Sequence, residues 1–276
     1  MNYVRVLNIN NIINQLKKDK KQFVVRQTLY TKQVITENKT YQYFAGNGLK
    51  MSELGFIAKV KKYALSLHKN MYPDIDVTTI PYVNYGFIKE NTLYTENLFE
   101  IDLNQAFWQF AKRRGYINDI LYNEGINKVS KKARLISLGN LAKRTAVMKY
   151  NGNEFEQVEF EKSDTENIFF AVSKMTADTM SNLQYFLGIG FLFYWCDAVF
   201  VQGEHSVIRV TNYLDSEELP YKIKPLTSLI KEDNIIIVDE PKKGKRKFRF
   251  NKPLQKLPIN EKKSKIQVLS KNRWNK

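Results

Sequence analysis

Residues 191–202 constrain this chain most. Phe191-Leu192-Phe193-Tyr194 and Val199-Phe200-Val201 flank a short polar tip. Runs this apolar belong inside a protein and the tip supplies a turn, so the segment reads as a buried β-hairpin. Asp197 then stands at the end of a strand pair shielded from water. A second acid has a similar setting. Leu98-Phe99-Glu100-Ile101 forms a strand that ends at Asp102, just before a helical stretch over residues 105–114. Desolvating a carboxylate is costly unless the charge is paired or bound to a metal. If the two strands are neighbours, both acids meet at one edge of a sheet, where bridging divalent cations would relieve their repulsion. Two such ions suit phosphoryl transfer, one activating the attacking oxygen and the other stabilising the leaving one. Taken singly, Asp102 also reads as an N-cap for the following helix and Asp197 as a turn residue.

Around this pair, strands and helices follow an order that implies an α+β fold, with helices on one face of an antiparallel sheet. Strands are expected in 22–30 and 39–44. Leu54, Ile57, Val60, Tyr63, Ala64 and Leu67 recur at helical spacing, which predicts a helix over 52–69 with Ser52 as its N-cap. Residues 82–102 read as a hairpin, in which Val83, Tyr85 and Phe87 alternate and Lys89-Glu90-Asn91 turns. A basic helix is expected over 131–148, a short strand over 155–160, and a long helix over 165–187. A last strand pair is expected in 235–238 and 247–250.

The chain has 276 residues and a formal net charge of +16, unevenly spread. From Pro241 to Lys276 there are fourteen Lys or Arg and one acid, Glu261, whereas the preceding residues hold thirty basic and twenty-seven acidic groups. A cationic extension of this kind suits a polyanion, because each neutralised phosphate releases counterions. Without a specific partner it reads as a solubilising tail. No run approaches the roughly 18 apolar residues of a membrane helix, and the N-terminus lacks the layout of a signal peptide. One cysteine, Cys196, precludes an internal disulfide and implies a reducing cytoplasm. With two distant histidines, His68 and His205, a zinc site is not expected and any metal should be a hard ion on carboxylates.

The landmarks of this chain resemble, in order, those of family B DNA polymerases. That family's first catalytic motif reads Asp-x-Asn-Ser-Leu-Tyr-Pro, and this chain has Asp102-Leu103-Asn104-Gln105-Ala106-Phe107-Trp108. Its last reads Tyr-Gly-Asp-Thr-Asp-Ser-Val-Phe, against Tyr194-Trp195-Cys196-Asp197-Ala198-Val199-Phe200. The basic helix lies where the fingers helix would, the long helix where the family's palm helix precedes the hairpin, and Lys245-Arg246-Lys247-Phe248 looks like the Lys-x-Tyr segment that holds the primer. The resemblance covers roughly residues 80–250. It implies a polymerase palm in which Asp102 and Asp197, completed by the Leu103 carbonyl, hold Mg²⁺ or Mn²⁺ and carry catalysis. Phe107 would lie under the sugar and exclude a 2′-hydroxyl, Arg134 or Lys143 would contact the incoming dNTP, and Lys247 would grip the primer. The implied organisation is an N-terminal α+β region (1–79), a palm (80–250) with a reduced fingers insertion (about 112–150), and a flexible basic tail (251–276).

The departures are specific. Trp195 replaces the family's first hairpin acid, Trp108 its proline, and Arg134 to Ala142 keeps little of the fingers motif. A proofreading domain and a normal thumb have no room, so an accessory subunit or the tail would replace the thumb. The Lys-, Asn- and Ile-rich usage points to an AT-rich phage or mobile element acting in the cytoplasm of a bacterial host. Two alternatives stand beside this reading. Asp102 to Phe107 also resembles the Asp-x-x-x-Ala-Phe motif of reverse transcriptases, with Tyr194-Trp195-Cys196-Asp197 like Tyr-x-Asp-Asp but with Cys196 for its first Asp. The other is a non-catalytic nucleic-acid-binding protein, in which Tyr30, Tyr41, Tyr43, Phe44 and Trp274 stack on single-stranded bases. Both keep DNA, as primer-template or single strand, as the partner, and no membrane.

Overall fold

The computed structural model describes residues 2–28, 31–44, 48–67, the backbone of 85–87, and 92–249. The chain begins with β1 (Asn2–Arg5), α1 (Ile9–Lys18), β2 (Phe23–Gln27), β3 (Thr31–Ile35), β4 (Lys39–Phe44) and α2 (Met51–Ser66). Then come β5 (Tyr85–Phe87), β6 (Thr92–Tyr94), β7 (Leu98–Leu103), α3 (Ala106–Arg113), α4 (Asp119–Lys128), α5 (Lys131–Gly139), β8 (Thr145–Tyr150) and β9 (Glu159–Glu161). The described part closes with α6 (Glu166–Leu187), β10 (Phe191–Trp195), β11 (Ala198–Gln202), α7 (Glu204–Ser216), β12 (Tyr221–Leu226), β13 (Ser228–Glu232), β14 (Ile235–Glu240) and β15 (Gly244–Arg249). The fold is α+β. No helix among the described residues is long and apolar enough to cross a membrane. The described residues of 1–72 and 123–169 form one compact unit, and those of 73–122 and 170–258 a second. Residues 123–149, expected as part of a fingers insertion, thus group with the N-terminal region.

The first unit is built on a six-stranded sheet in the order β1-β4-β3-β2-β8-β9, antiparallel except for the parallel pair β1–β4. The side chain of Asn8 caps α1 by accepting from the amides of Asn10 and Asn11. Ile9 and Ile13 then meet Phe23, Val25, Val34 and Tyr150 in one core cluster, so α1 covers one face of the sheet. Strand alternation turns Arg26 and its cross-strand neighbours to the opposite face. The helix α2 packs on α5. Glu53 links their N-termini, because its carboxylate accepts the Lys50 amide at 2.9 Å and the Ser130 amide at 3.1 Å.

Two antiparallel sheets form the second unit, ordered β12-β7-β11-β10-β5 and β15-β14-β13-β6. They pack through Leu98, Phe193, Ala198 and Phe200 against Leu229, Ile236, Val238 and Phe248. The rings of Phe193 and Phe200 stack at 3.9 Å, and Phe248 meets Phe193 edge-on at 5.3 Å. α7 packs on β7 and β11.

The helices over 52–69 and 165–187, the hairpin over 191–202 and the last strand pair form within a few residues of their expected bounds. Four local expectations are corrected. The N-cap of α2 is Lys50, with Ser52 inside the first turn, and the strand expected over 155–160 forms only as β9, Glu159–Glu161. The basic helix stops at Gly139, and residues 145–150 form β8, because Thr145 and Val147 suit a strand that pairs with β2. The stretch over 82–102 is not one hairpin: β5 pairs with β10, and β6 joins β13 in the other sheet. The expected turn over 89–91 lies outside the described residues, as does the basic tail over 251–276.

Candidate functional site

The site begins with a strand pairing. β11 lies between β10 and β7, and in its register with β7 the Cα of Ala198 faces that of Asp102. The amide of Leu103 donates to the carbonyl of Asp197 at 2.9 Å. The two acids singled out by the sequence are therefore backbone neighbours at one end of one sheet. Asp102 is the penultimate residue of β7 and is not an N-cap; that position of α3 falls to Gln105, which holds a left-handed φ of 57° and makes no side-chain cap bond.

Cys196 and Asp197 alone connect β10 to β11, with Trp195 facing Ala198. Cys196 takes φ 55°, a left-handed conformation that disfavours side chains other than Gly, Asn and Asp. Burial, and then the neighbouring Asp197 charge, push the Cys196 thiol up to about 11, so it is a neutral thiol at neutral pH. Cys196 is thus not a thiolate ligand.

The acids have cationic company. Lys224 on β12 contacts Glu100 at 3.0 Å and Asp102 at 3.4 Å, and Arg246 on β15 contacts the other Glu100 oxygen at 2.6 Å. Glu100 is 2% exposed, so these two cations compensate a buried charge. Burial works against the Lys224 charge, but the contacts with Glu100 and then Asp102 outweigh it and hold its pKa above the ordinary lysine value. Lys222, exposed, faces Asp102 directly across the β7–β12 pair. Glu100 and Lys224 were not singled out from sequence, although an acid inside an apolar strand and the alternation Lys222-x-Lys224 were both visible.

The groups that could hold a metal here are the carboxylates of Asp102 and Asp197 and the Leu103 carbonyl, hard oxygens of the kind that suit Mg²⁺ or Mn²⁺. Mg²⁺ is ordinarily bound through one or two carboxylates plus substrate phosphates, so a two-acid site fits it. Among the described residues no group of three or more His, Cys, Asp or Glu is gathered for a metal. Three positions beyond Asp102, Gln105 Oε1 is buried with no hydrogen-bond partner among the described residues, an acceptor that a bound group would complete.

Comparison with known proteins finds no matching family model, no matching curated protein and no matching solved structure.

The remaining expected contacts fall in three places. Phe107 is half-buried in the first turn of α3. Arg134 and Lys143 belong to the first unit. Arg134 Nη1 donates to the carbonyls of Gly125 at 2.7 Å and Val129 at 2.8 Å, which ties the guanidinium to the end of α4, while Lys143 lines a cavity. In β15 the pleat divides the four primer-gripping candidates. Lys245 and Lys247 are exposed, whereas Phe248 is buried between the sheets and Arg246 lies over its ring at 4.9 Å while pairing with Glu100 and Glu240.

Proposed function

We propose that this chain is the palm of a minimal DNA polymerase, which joins a dNTP to a primer 3′-hydroxyl by metal-assisted nucleotidyl transfer. The observation that carries this reading is the pairing of β7 with β11, which sets Asp102 opposite Ala198 and binds the Leu103 amide to the Asp197 carbonyl. A strand that ends in an acid and runs into a helix, followed by a long helix and a hairpin with an acid at its tip, is the order that the family B resemblance implies.

Asp102 and Asp197, with the Leu103 carbonyl, are the residues that would hold Mg²⁺ or Mn²⁺; bound there, the ions supply an activated 3′-oxygen and a stabilised leaving pyrophosphate. The chain's own groups prepare the place. Lys224 offsets the carboxylate repulsion while no metal is bound, and Lys222 offers a second cation to the triphosphate. Phe107, in the first turn of α3, is the ring that would exclude a ribose 2′-hydroxyl. Lys245 and Lys247 present their ammonium groups for the primer backbone, and Arg246 and Phe248 keep β15 in the sheet packing. Burial of Phe193, Phe200 and Phe248 gives the acids a rigid base.

The test is extension of a primed DNA template with dNTPs and Mg²⁺ or Mn²⁺. The wild-type chain should extend the primer, and Asp102→Asn or Asp197→Asn should reduce extension to background without loss of DNA affinity. A wild-type chain that binds DNA without extending it would overturn the catalytic reading.

A second reading has its own observation. With Cys196 a neutral thiol beside Asp197 and Lys224 already paired with Asp102, the site holds fewer acids than the resemblance implies. A palm kept only for nucleic-acid binding would show salt-sensitive affinity, no extension, and indifference to Asp197→Asn.

A further inference from the structure

The first unit contains a cavity of about 530 Å³ that owes none of its walls to the unit of Asp102 and Asp197. Its floor is the face of the six-stranded sheet opposite α1. There, strand register sets a polar row across four strands: Arg5 faces Gln42, Gln42 faces Gln33, and Gln33 faces Arg26. Arg26, Gln33 and Gln42 line the cavity. Thr31 and Phe44, directly opposite each other one step along, continue the same face into it. Lys61 and Leu65 reach it from α2, one helical turn apart, and Lys143 from the turn before β8.

The charges do not balance. Four cations line the space (Arg26, Lys61, Lys143 and Lys162) against two acids, Glu161 and Asp164. Glu161 is engaged by Arg26, and Lys162 pairs with Glu166 at 3.6 Å. Lys61 and Lys143 have no acidic partner among the described residues. Burial, and then the charges of Lys61 and Arg26, hold the Lys143 pKa below the ordinary lysine value. Glu161 already offsets Arg26 and Glu166 offsets Lys162, which leaves Lys61 and Lys143 with only Asp164 among the lining acids, so an anion entering this polar hollow would relieve their repulsion. The volume suits a nucleotide-sized group. Phe44 lies at the rim with its residue 38% exposed, where a ring can stack on a base.

We propose that this cavity binds a nucleotide phosphate, either of a free nucleotide or within a single strand, with the phosphate among Arg26, Lys61 and Lys143 and the base against Phe44.

Binding to the full chain is measured in EDTA with three probes: inorganic triphosphate, dATP and a labelled oligo-dT strand. Without metal ions the carboxylates of Asp102 and Asp197 can only repel these anions, so Asp102→Asn/Asp197→Asn should weaken none of the readings, and failure here is distinguishable from failure of the polymerase reading. The double variant Lys61→Gln/Lys143→Gln should bind its ligand about tenfold or more weakly. If the strand is the ligand, it should also lower the salt slope by roughly 1.4, two single-strand phosphate contacts. Lys143→Arg should keep affinity, and Phe44→Ala should weaken dATP or oligo-dT but not triphosphate. The melting temperature of Lys143→Gln should equal or exceed that of wild type, since the variant removes a desolvated, repelled charge; this separates lost binding from lost folding. Loss of dATP binding alone assigns a free nucleotide, and loss of oligo-dT binding alone assigns a strand. Equal binding of all three probes by the double variant and wild type would overturn the proposal.

Discussion

Leu103 and Asp197 are joined by a main-chain hydrogen bond of 2.9 Å, and with it the two acids most conspicuous in the sequence become neighbours at one end of one sheet. The bond uses no side chain, so substitutions at Asp102 or Asp197 can alter chemistry without disturbing the pairing. Asp102→Asn and Asp197→Asn should therefore keep the wild-type melting temperature within a few degrees while abolishing primer extension. A large drop in melting temperature for either variant would assign the acids to stability.

Glu100 is the buried charge on which the surrounding cations converge. Glu100→Ala leaves Lys224 and Arg246 to share Asp102 and Glu240, and should cost about 3–5 kcal/mol in denaturant unfolding. It also removes the main reason that the Lys224 pKa is raised. A raised folded-state pKa stabilises below the unfolded lysine value and is lost as pH rises through the folded one, so wild type should lose stability above about pH 10.4. Glu100→Ala should lose less of its remaining stability there. Parallel pH curves for the two proteins would refute the coupling.

Cys196 should alkylate slowly at neutral pH. Its thiol titrates at about 11 rather than at the ordinary 9.0, so the rate with iodoacetamide should climb toward pH 11 and not level off near 9. A folded pKa raised in this way also means that stability falls as pH rises between those two values, because the unfolded chain gives up its proton first. Cys196→Asp suits the left-handed φ of this position better and adds a carboxylate next to Asp197. The variant should bind Mn²⁺ more tightly, as read by titration calorimetry; unchanged affinity would argue against a metal at the hairpin tip.

β15 divides its roles by alternation. Phe248→Ala should destabilise by about 3–5 kcal/mol, since it opens a cavity under Phe193 and Phe200. Lys247→Ala should change stability by less than about 0.5 kcal/mol. It should instead weaken DNA binding across sequences and lower the salt slope by roughly 0.9 for a duplex contact. Fluorescence anisotropy against salt concentration, set beside thermal melts, separates the two variants.

Glu53 should make the first unit acid-sensitive. Hydrogen bonding by Ser130, and then by Lys50, holds its carboxylate below the ordinary glutamate value of 4.5. A depressed folded-state pKa stabilises above the unfolded value and is lost as pH falls through the folded one. The melting temperature should thus drop below about pH 4.5, and Glu53→Gln should lower the neutral-pH value and flatten that acid limb. An unchanged acid limb in Glu53→Gln would place the sensitivity elsewhere.

Local pattern was legible where residues declare their surroundings. The period of Leu54, Ile57, Val60 and Ala64 specified α2, and the apolar flanks of Cys196-Asp197 specified the β10–β11 hairpin, because each flank has the length of a strand and is rich in β-branched and aromatic residues. The positions of Asp102 and Asp197 at strand ends were equally plain. Partner choice was not. Short strands such as Tyr85–Phe87 and Thr92–Tyr94 pair as well with a distant segment as with each other, and only the competition for sheet edges in the folded chain sent them to different sheets. The same holds for charge: nothing local tells that Glu100 lies between Lys224 and Arg246, or that Arg26, Lys61 and Lys143 line one hollow. By itself the sequence determined the apolar runs that become buried and the places of Asp102 and Asp197 at strand ends, since hydrophobic patterning acts residue by residue. The tertiary structure alone decided what stands beside each of them, since pairing and charge compensation act between segments far apart in the chain.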